Sequence, residues 1–256
     1  MDITNYLTEC VNENKPVSFL KFGDGEYNCV FLNWYGSNCD ADTYTNKLSY
    51  HLHNSFKYLV NNTDNTYIGL WHNSENKSRW NTLVDKQINW VDYHTIIFDK
   101  TNDHKKVDLY RAIQNSKSKK IIVCNELLIK SKLLLNADHI VVVPFNNWFD
   151  SQFDRILEEV KSYIGNDKNH IVITCCGMSA KVLIAELNKC FSTGIYLDFG
   201  SALDLICTRR DSRGHKYDYN YVENLLLELL PNDWNDPKFD HIYPEAKHKL
   251  GIHLPS

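Results

Sequence analysis

The sequence predicts an α/β protein: a Rossmann-like three-layer fold with a mostly parallel sheet. Two observations carry this prediction, namely short apolar runs without strict alternation and the amphipathic stretches that separate them. A third is length, because 256 residues suffice to bury one large core. The runs 16–22 "PVSFLKF", 66–71 "TYIGLW", 94–99 "HTIIFD", 120–125 "KIIVCN", 139–145 "HIVVVPF", 170–176 "HIVITCC" and 194–199 "GIYLDF" read as strands. Each is brief and rich in β-branched or aromatic residues, as expected of strands covered on both faces.

Helical patterns fill 25–34, 42–60, 78–90, 104–117, 126–135, 150–163 and 179–190. In the last, "SAKVLIAELNKC", Val182, Leu183, Ala185, Glu186 and Leu187 fall on successive turns, so mainly an apolar stripe is expected to face inward. Strand–helix alternation of this kind implies a parallel sheet with helices on both sides. No repeat or low-complexity linker interrupts it, so residues 1–230 are expected to form one domain. The tail 231–256, dense in Pro, His and aromatic residues, is expected to pack on that domain as a cap, a dimer contact or part of an acceptor site.

Composition narrows the function. Hydrophobic residues at 43% and charged residues at 23% are ordinary for a soluble globular protein. A net charge of -4, with short basic clusters near Lys117 and Arg209, argues against a general nucleic-acid binder. No segment is apolar enough to span a bilayer, and the opening "MDITNYLTECVNENK" lacks the apolar stretch of a signal peptide. The eight cysteines form no CxxC pair and read as reduced thiols, several of them acting as small hydrophobes. Together these features predict a cytoplasmic protein, with the oligomeric state open between monomer and homo-oligomer.

In open α/β sheets, ligands bind beyond the carboxyl ends of the strands. Three stretches fall there. In "GDGE", Gly23 and Gly25 permit a tight turn that brings Asp24 and Glu26 together. Two such carboxylates suit a hard divalent cation, Mg2+ or Mn2+, and the adjoining helix start favours an anion; the competing reading is a helix with an acidic first turn. In "CCGMSAK", Gly177 allows close approach and Ser179 is placed to cap a helix, so that backbone N–H groups, the Ser179 hydroxyl and Lys181 could hold a phosphate or ribose. In "DFGSALD", Asp198 and Asp204 are candidates for a general base. Beyond it, Arg209, Arg210 and Arg213 are candidates for phosphate contacts, against the alternative of a solvated loop, and His215 has the same two readings.

Taken in order, "KFGDGEYNCV" (21–30), "VVVPFNNWFDSQFDRIL" (141–157) and "ITCCGMSAKVLIAELNKCFSTGIYLDFGSALD" (173–204) resemble the glycosyltransferases of the GT-D fold. The hallmark of that family is a GDGE-type loop carrying a D-x-E metal motif, and the likeness extends over residues 16–217. It implies transfer of a sugar from a nucleoside diphosphate donor, with UDP expected, to a hydroxyl of a glycan acceptor. By the same resemblance Asp24 and Glu26 bind a divalent metal, usually manganese. Asn146, Asn147 and Trp148 line the donor site beside Lys21, Gly23 and Gly25, and Gly177, Ser179 and Asp198 sit near the nucleotide or the reacting sugar. Two departures stand out: Lys21 where members often carry Arg, and Phe199 in place of a small aliphatic residue. A metal-dependent phosphohydrolase and a non-catalytic nucleotide-binding module are the alternatives.

Overall fold

The structure, a computed structural model, describes residues 2–32, 36–70, 74–93, 96, 103–208 and 228–229. Arg209, Arg210, Arg213, His215, the tail 231–256 and all but Ile96 of the expected strand 94–99 lie outside the described residues.

Among the described residues the sheet has seven strands: β1 (Val17–Lys21), β2 (Thr66–Gly69), β3 (Asn89–Val91), β4 (Lys119–Asn125), β5 (His139–Val143), β6 (His170–Cys175) and β7 (Ile195–Asp198). Their order is β3-β2-β1-β7-β6-β4-β5, and every pairing is parallel. The central strands explain the missing alternation. Phe19 and Leu20, adjacent in β1, are both fully buried but join the cores on opposite faces of the sheet. Each such side chain contributes about 1.5–3 kcal/mol of burial. At the β5 edge the cover thins, and Val142 is exposed.

One face carries α1 (Ile3–Glu13) and α5 (Asp103–Asn115), whose Ile3, Leu7, Val107, Tyr110 and Ile113 pack together on the sheet. The other carries α3 (Asn46–Asn62), α4 (Ser74–Asn81), α7 (Trp148–Ile164) and α8 (Ser179–Cys190). Among the described residues there are also the short helices α2 (Asp24–Tyr27), α6 (Ser131–Leu134) and α9 (Asp204–Thr208), and α2 runs on as a π-helical turn over Asn28–Leu32. This is the three-layer α/β architecture that the alternation predicted. All eight cysteines are free, with Cys39 and Cys190 exposed and the rest buried. Among the described residues no helix is long and apolar enough to cross a membrane.

Several elements differ from expectation. The opening stretch, read only as lacking a leader, is α1: Asp2 caps it by accepting from the Thr4 N–H at 3.0 Å, and Asn14 ends it in the left-handed region at φ 53°. The helical pattern at 78–90 stops at Asn81, and its last residues form β3 instead. Those three residues owe their conformation to pairing with Tyr67–Gly69 rather than to any pattern of their own. The stretch 126–135 divides into a 3-10 turn at Glu126–Leu128 and the short α6. Helix α8 is buried on nearly all sides, not along one stripe, because it lies between the sheet, α3 and α7.

Candidate functional site

β1 and β7 are hydrogen-bonded neighbours, yet the chain leaves them in opposite directions. After β1 it passes through α2 to α3 on one face, and after β7 it passes through a 3-10 turn to α9 on the other. Divergence of this kind opens a crevice at the carboxyl ends of the two strands, the usual ligand position in an open α/β sheet. "GDGE" forms one lip and Asp198–Gly200 the other.

The acidic turn is built by its own residues. Gly23 is the N-cap of α2, and its N–H donates to Glu26 Oε2 at 2.9 Å, which closes the turn. Asp24 is thereby left exposed, whereas Glu26 is buried. Gly25 packs tightly, since a Cβ there would lie 3.2 Å from Asn38 Cβ and 3.7 Å from Met178 Sδ.

Behind the turn lies a buried charge cluster. Lys181, 3% exposed, points its ammonium at Glu26 Oε1 (2.8 Å), Asp198 Oδ2 (2.9 Å) and the Gly177 carbonyl (3.3 Å). These oxygens come from the helix after β1, the end of β7 and the turn after β6. Burial alone would push the Glu26 carboxyl up, but the Lys181 charge and hydrogen bond outweigh it and hold the group below the ordinary carboxylate value. Burial would likewise lower the Lys181 ammonium, and Asp198 and Glu26 together raise it instead. Glu26 and Lys181 are therefore both charged at neutral pH.

Asp198 is fully buried, and its carboxylate accepts from three donors. Oδ2 takes the Lys21 N–H at 3.1 Å in addition to Lys181, and Oδ1 takes the Gly200 N–H at 3.2 Å. So engaged, it anchors the Lys21 and Gly200 backbones and the Lys181 ammonium at one point. Gly200 sits at φ +50°, and a Cβ there would collide with the Lys21 ammonium. That ammonium also lies 5.2 Å from the centre of the Tyr93 ring. Burial, followed by the charges of Glu26 and Asp24, pushes the Tyr93 phenol up, so Tyr93 belongs to the same crevice. Neither Tyr93 nor the counter-ion role of Lys181 follows from a local sequence pattern.

The turn after β6 is arranged differently from expectation. Met178, not Ser179, is the N-cap of α8; Ser179 is buried in the first turn, and no side chain of the cap residue bonds back. That role passes to Asp42, a residue that sequence reasoning missed. Its carboxylate accepts from the Asn147 N–H at 2.8 Å and from Asn38 Nδ2 at 3.2 Å, and it lies against the Met178 backbone at the start of α8. Gly177, at φ +73°, is required here because a Cβ would lie 2.5 Å from Asp42 Oδ2. The helix start expected to cradle a phosphate thus already holds a carboxylate. Burial pushes the Asp42 carboxyl up, and these contacts offset part of that shift.

Asn147, itself at φ 54°, returns the contact by accepting the Thr43 N–H at 2.8 Å, and Asn146 accepts from Asn147 Nδ2 at 3.4 Å. The "PFNNWF" loop therefore grips the Asp42 segment. Trp148 faces inward, 1% exposed, with Nε1 donating to the Cys176 carbonyl at 3.0 Å. It holds α7 to the end of β6 and does not line the crevice. Asp204, half-buried, opens α9 on the far face of the sheet, beside Cys175 and Cys207.

A divalent cation at the acidic turn would find hard oxygen donors in Asp24 and Glu26. Asp24 is exposed and open to a cation, whereas Glu26 Oε1 already meets the Lys181 ammonium at 2.8 Å and Oε2 the Gly23 N–H at 2.9 Å, so Glu26 would have to share an engaged oxygen. No group of three or more His, Cys, Asp or Glu that could hold a metal lies among the described residues. Phosphate oxygens and water would have to complete the shell, as is usual for Mg2+.

No family model matches the sequence, and no curated protein does. Two solved structures match the fold, each with a TM-score of 0.55, 18% identity and coverage of 79% of both chains. One is the selenomethionine-substituted structure of domain of unknown function 1792, and the other is described as that highly conserved domain with a distinct glycosyltransferase fold. At 18% identity the likeness is one of fold, and the chain has a glycosyltransferase-like α/β fold.

Proposed function

We propose that the chain is a glycosyltransferase that moves a sugar from a nucleoside diphosphate donor, a UDP-sugar in the first instance, to a hydroxyl of a glycan acceptor. The observation that carries this reading is the acidic turn Gly23–Glu26, set across a strand-end crevice from Asp198 and Gly200 in a glycosyltransferase-like fold. Lys21, beside Gly200, supplies positive charge where the diphosphate would lie. Asp24 and Glu26 would hold Mn2+ or Mg2+, which when bound offsets charge on a leaving diphosphate.

The chain's own groups do the rest. Lys181 keeps Glu26 charged and holds both Glu26 and Asp198 in place. Asp198 fixes the Lys21 and Gly200 backbones, which sets the width of the crevice. Asp204, half-buried where Asp198 is fully buried, would be the base for the acceptor proton if transfer inverts configuration and the acceptor approaches from the α9 side. Asn146, Asn147 and Arg213 remain assigned to the donor, whereas Gly177, Ser179 and Trp148 serve the framework behind it.

The test is turnover of a UDP-sugar panel with glycan acceptors, followed by mass spectrometry of the product. Asp24→Ala should lose roughly 100-fold or more in transfer. Its melting temperature should stay unchanged, because the residue is exposed. Full activity in that variant, or cleavage of donor at the same rate with and without acceptor, would contradict the reading.

A further inference from the structure

Lys181 is the one charged residue among the buried positions of α8, where it sits among Ala180, Val182, Leu183 and Ile184. A buried ammonium loses its hydration, and an apolar side chain of similar volume would fill this space at lower cost. What it meets accounts for its presence. Asp24, Glu26 and Asp198 put three carboxylates around one crevice. With Lys21 as the one other cation beside Gly200 among the described residues, removing Lys181 would leave these carboxylates in excess, which disfavours a diphosphate and favours a bare metal ion. The ammonium hydrogens face Glu26 Oε1, Asp198 Oδ2 and the Gly177 carbonyl, so none is left to donate to a ligand. Any influence on a ligand must pass through Glu26 and Asp198.

We propose that Lys181 is a positioning residue that acts as the built-in counter-cation of the crevice, biasing it toward a nucleoside diphosphate and away from a bare divalent ion. This rests on the glycosyltransferase reading of the same site. It makes a prediction of opposite sign for two ligands, which a purely structural lysine does not. Removing the charge subtracts one positive unit from the crevice, so Lys181→Met should weaken UDP binding in EDTA and tighten Mn2+ binding without nucleotide. Each change should be roughly tenfold or more, the order expected of one unit charge close to a partly buried site. Lys181→Arg keeps the charge and should restore both affinities to within about threefold.

The experiment is isothermal titration of the whole chain and these variants with UDP in EDTA, and separately with MnCl2 alone. Opposite shifts in Lys181→Met, reversed in Lys181→Arg, support the proposal. Weakening of both ligands, or no change in either, overturns it. Should Lys181→Met fail to fold, Glu26→Gln takes its place, because the amide oxygen can still accept from the Gly23 N–H while one negative charge is lost. Its NH2 then faces Lys181, so the variant is first checked for a folded state by circular dichroism; folded, it should bind UDP in EDTA more tightly than wild type, and unchanged or weaker binding overturns the proposal. If wild type binds no UDP with or without Mn2+, the glycosyltransferase reading fails, and the Mn2+ arm still decides the role of Lys181.

Discussion

Replacing Asp198 with Asn separates an anchor from a base. The wild-type carboxylate is fully buried and accepts from Lys181 Nζ at 2.9 Å, Lys21 N at 3.1 Å and Gly200 N at 3.2 Å. An amide supplies one oxygen and one donor. With its oxygen toward Lys181 and Lys21, its NH2 opposes the Gly200 N–H; the flipped amide opposes an ammonium. Removing one partner of a buried ion pair costs about 3–5 kcal/mol. Lys181 keeps Glu26, so the lower end, about 3 kcal/mol, applies here. In a domain of this size each kcal/mol moves the melting temperature by about 2–4 °C, which gives a fall of about 6–12 °C. Urea unfolding with an unchanged m-value would isolate the loss as one of stability. A variant within about 1 kcal/mol of wild type that had nonetheless lost all turnover would refute the reasoning and return Asp198 to the role of base.

Two further outcomes follow from the geometry. Gly177→Ala meets both a positive φ of +73° and a Cβ 2.5 Å from Asp42 Oδ2, so it should cost about 1–3 kcal/mol. Much of that cost should vanish in an Asp42→Ala background, and a double-mutant cycle showing strict additivity would remove the Asp42 latch from the account. The acid limb of the stability curve tests Glu26. Its folded-state value lies below the ordinary 4.5, so its contribution is full above pH 4.5 and is lost as pH falls below it. Stability of Glu26→Gln, measured by urea unfolding between about pH 5 and 3, should therefore decline less steeply than wild type, and parallel curves would argue against the Lys181 pairing.

The parts of the molecule that were legible in the sequence are those whose physics is local. β6 and α8 could be placed almost to the residue, because "HIVITCC" must be a strand covered on both faces and "SAKVLIAELNKC" keeps helical spacing. β3 could not, because Asn89, Trp90 and Val91 become a strand by lying against Tyr67–Gly69. The same distinction runs through the site. The glycines and acids of "GDGE" announce a turn with paired carboxylates, and that turn is present, with Glu26 closing it. Asp42 announces nothing: it sits in a polar loop, and its meaning comes from Asn147, 105 residues away. Lys181 was visible as a cation beside a glycine turn, but whether it faced solvent, phosphate or carboxylates depended on three strands coming together. Gly177 was read as making room for a ligand. The room is real, and Asp42 fills it.

The central claim is that a nucleoside diphosphate binds where β1 and β7 diverge. The most direct measurement is a crystal structure of the chain with UDP and Mn2+. The account predicts the diphosphate between the Asp24 turn and Gly200, with the metal on Asp24 and Glu26 and with Asp42 still capping α8. A diphosphate seated on the start of α8 with Asp42 expelled, or one bound away from both Asp24 and Gly200, would contradict it.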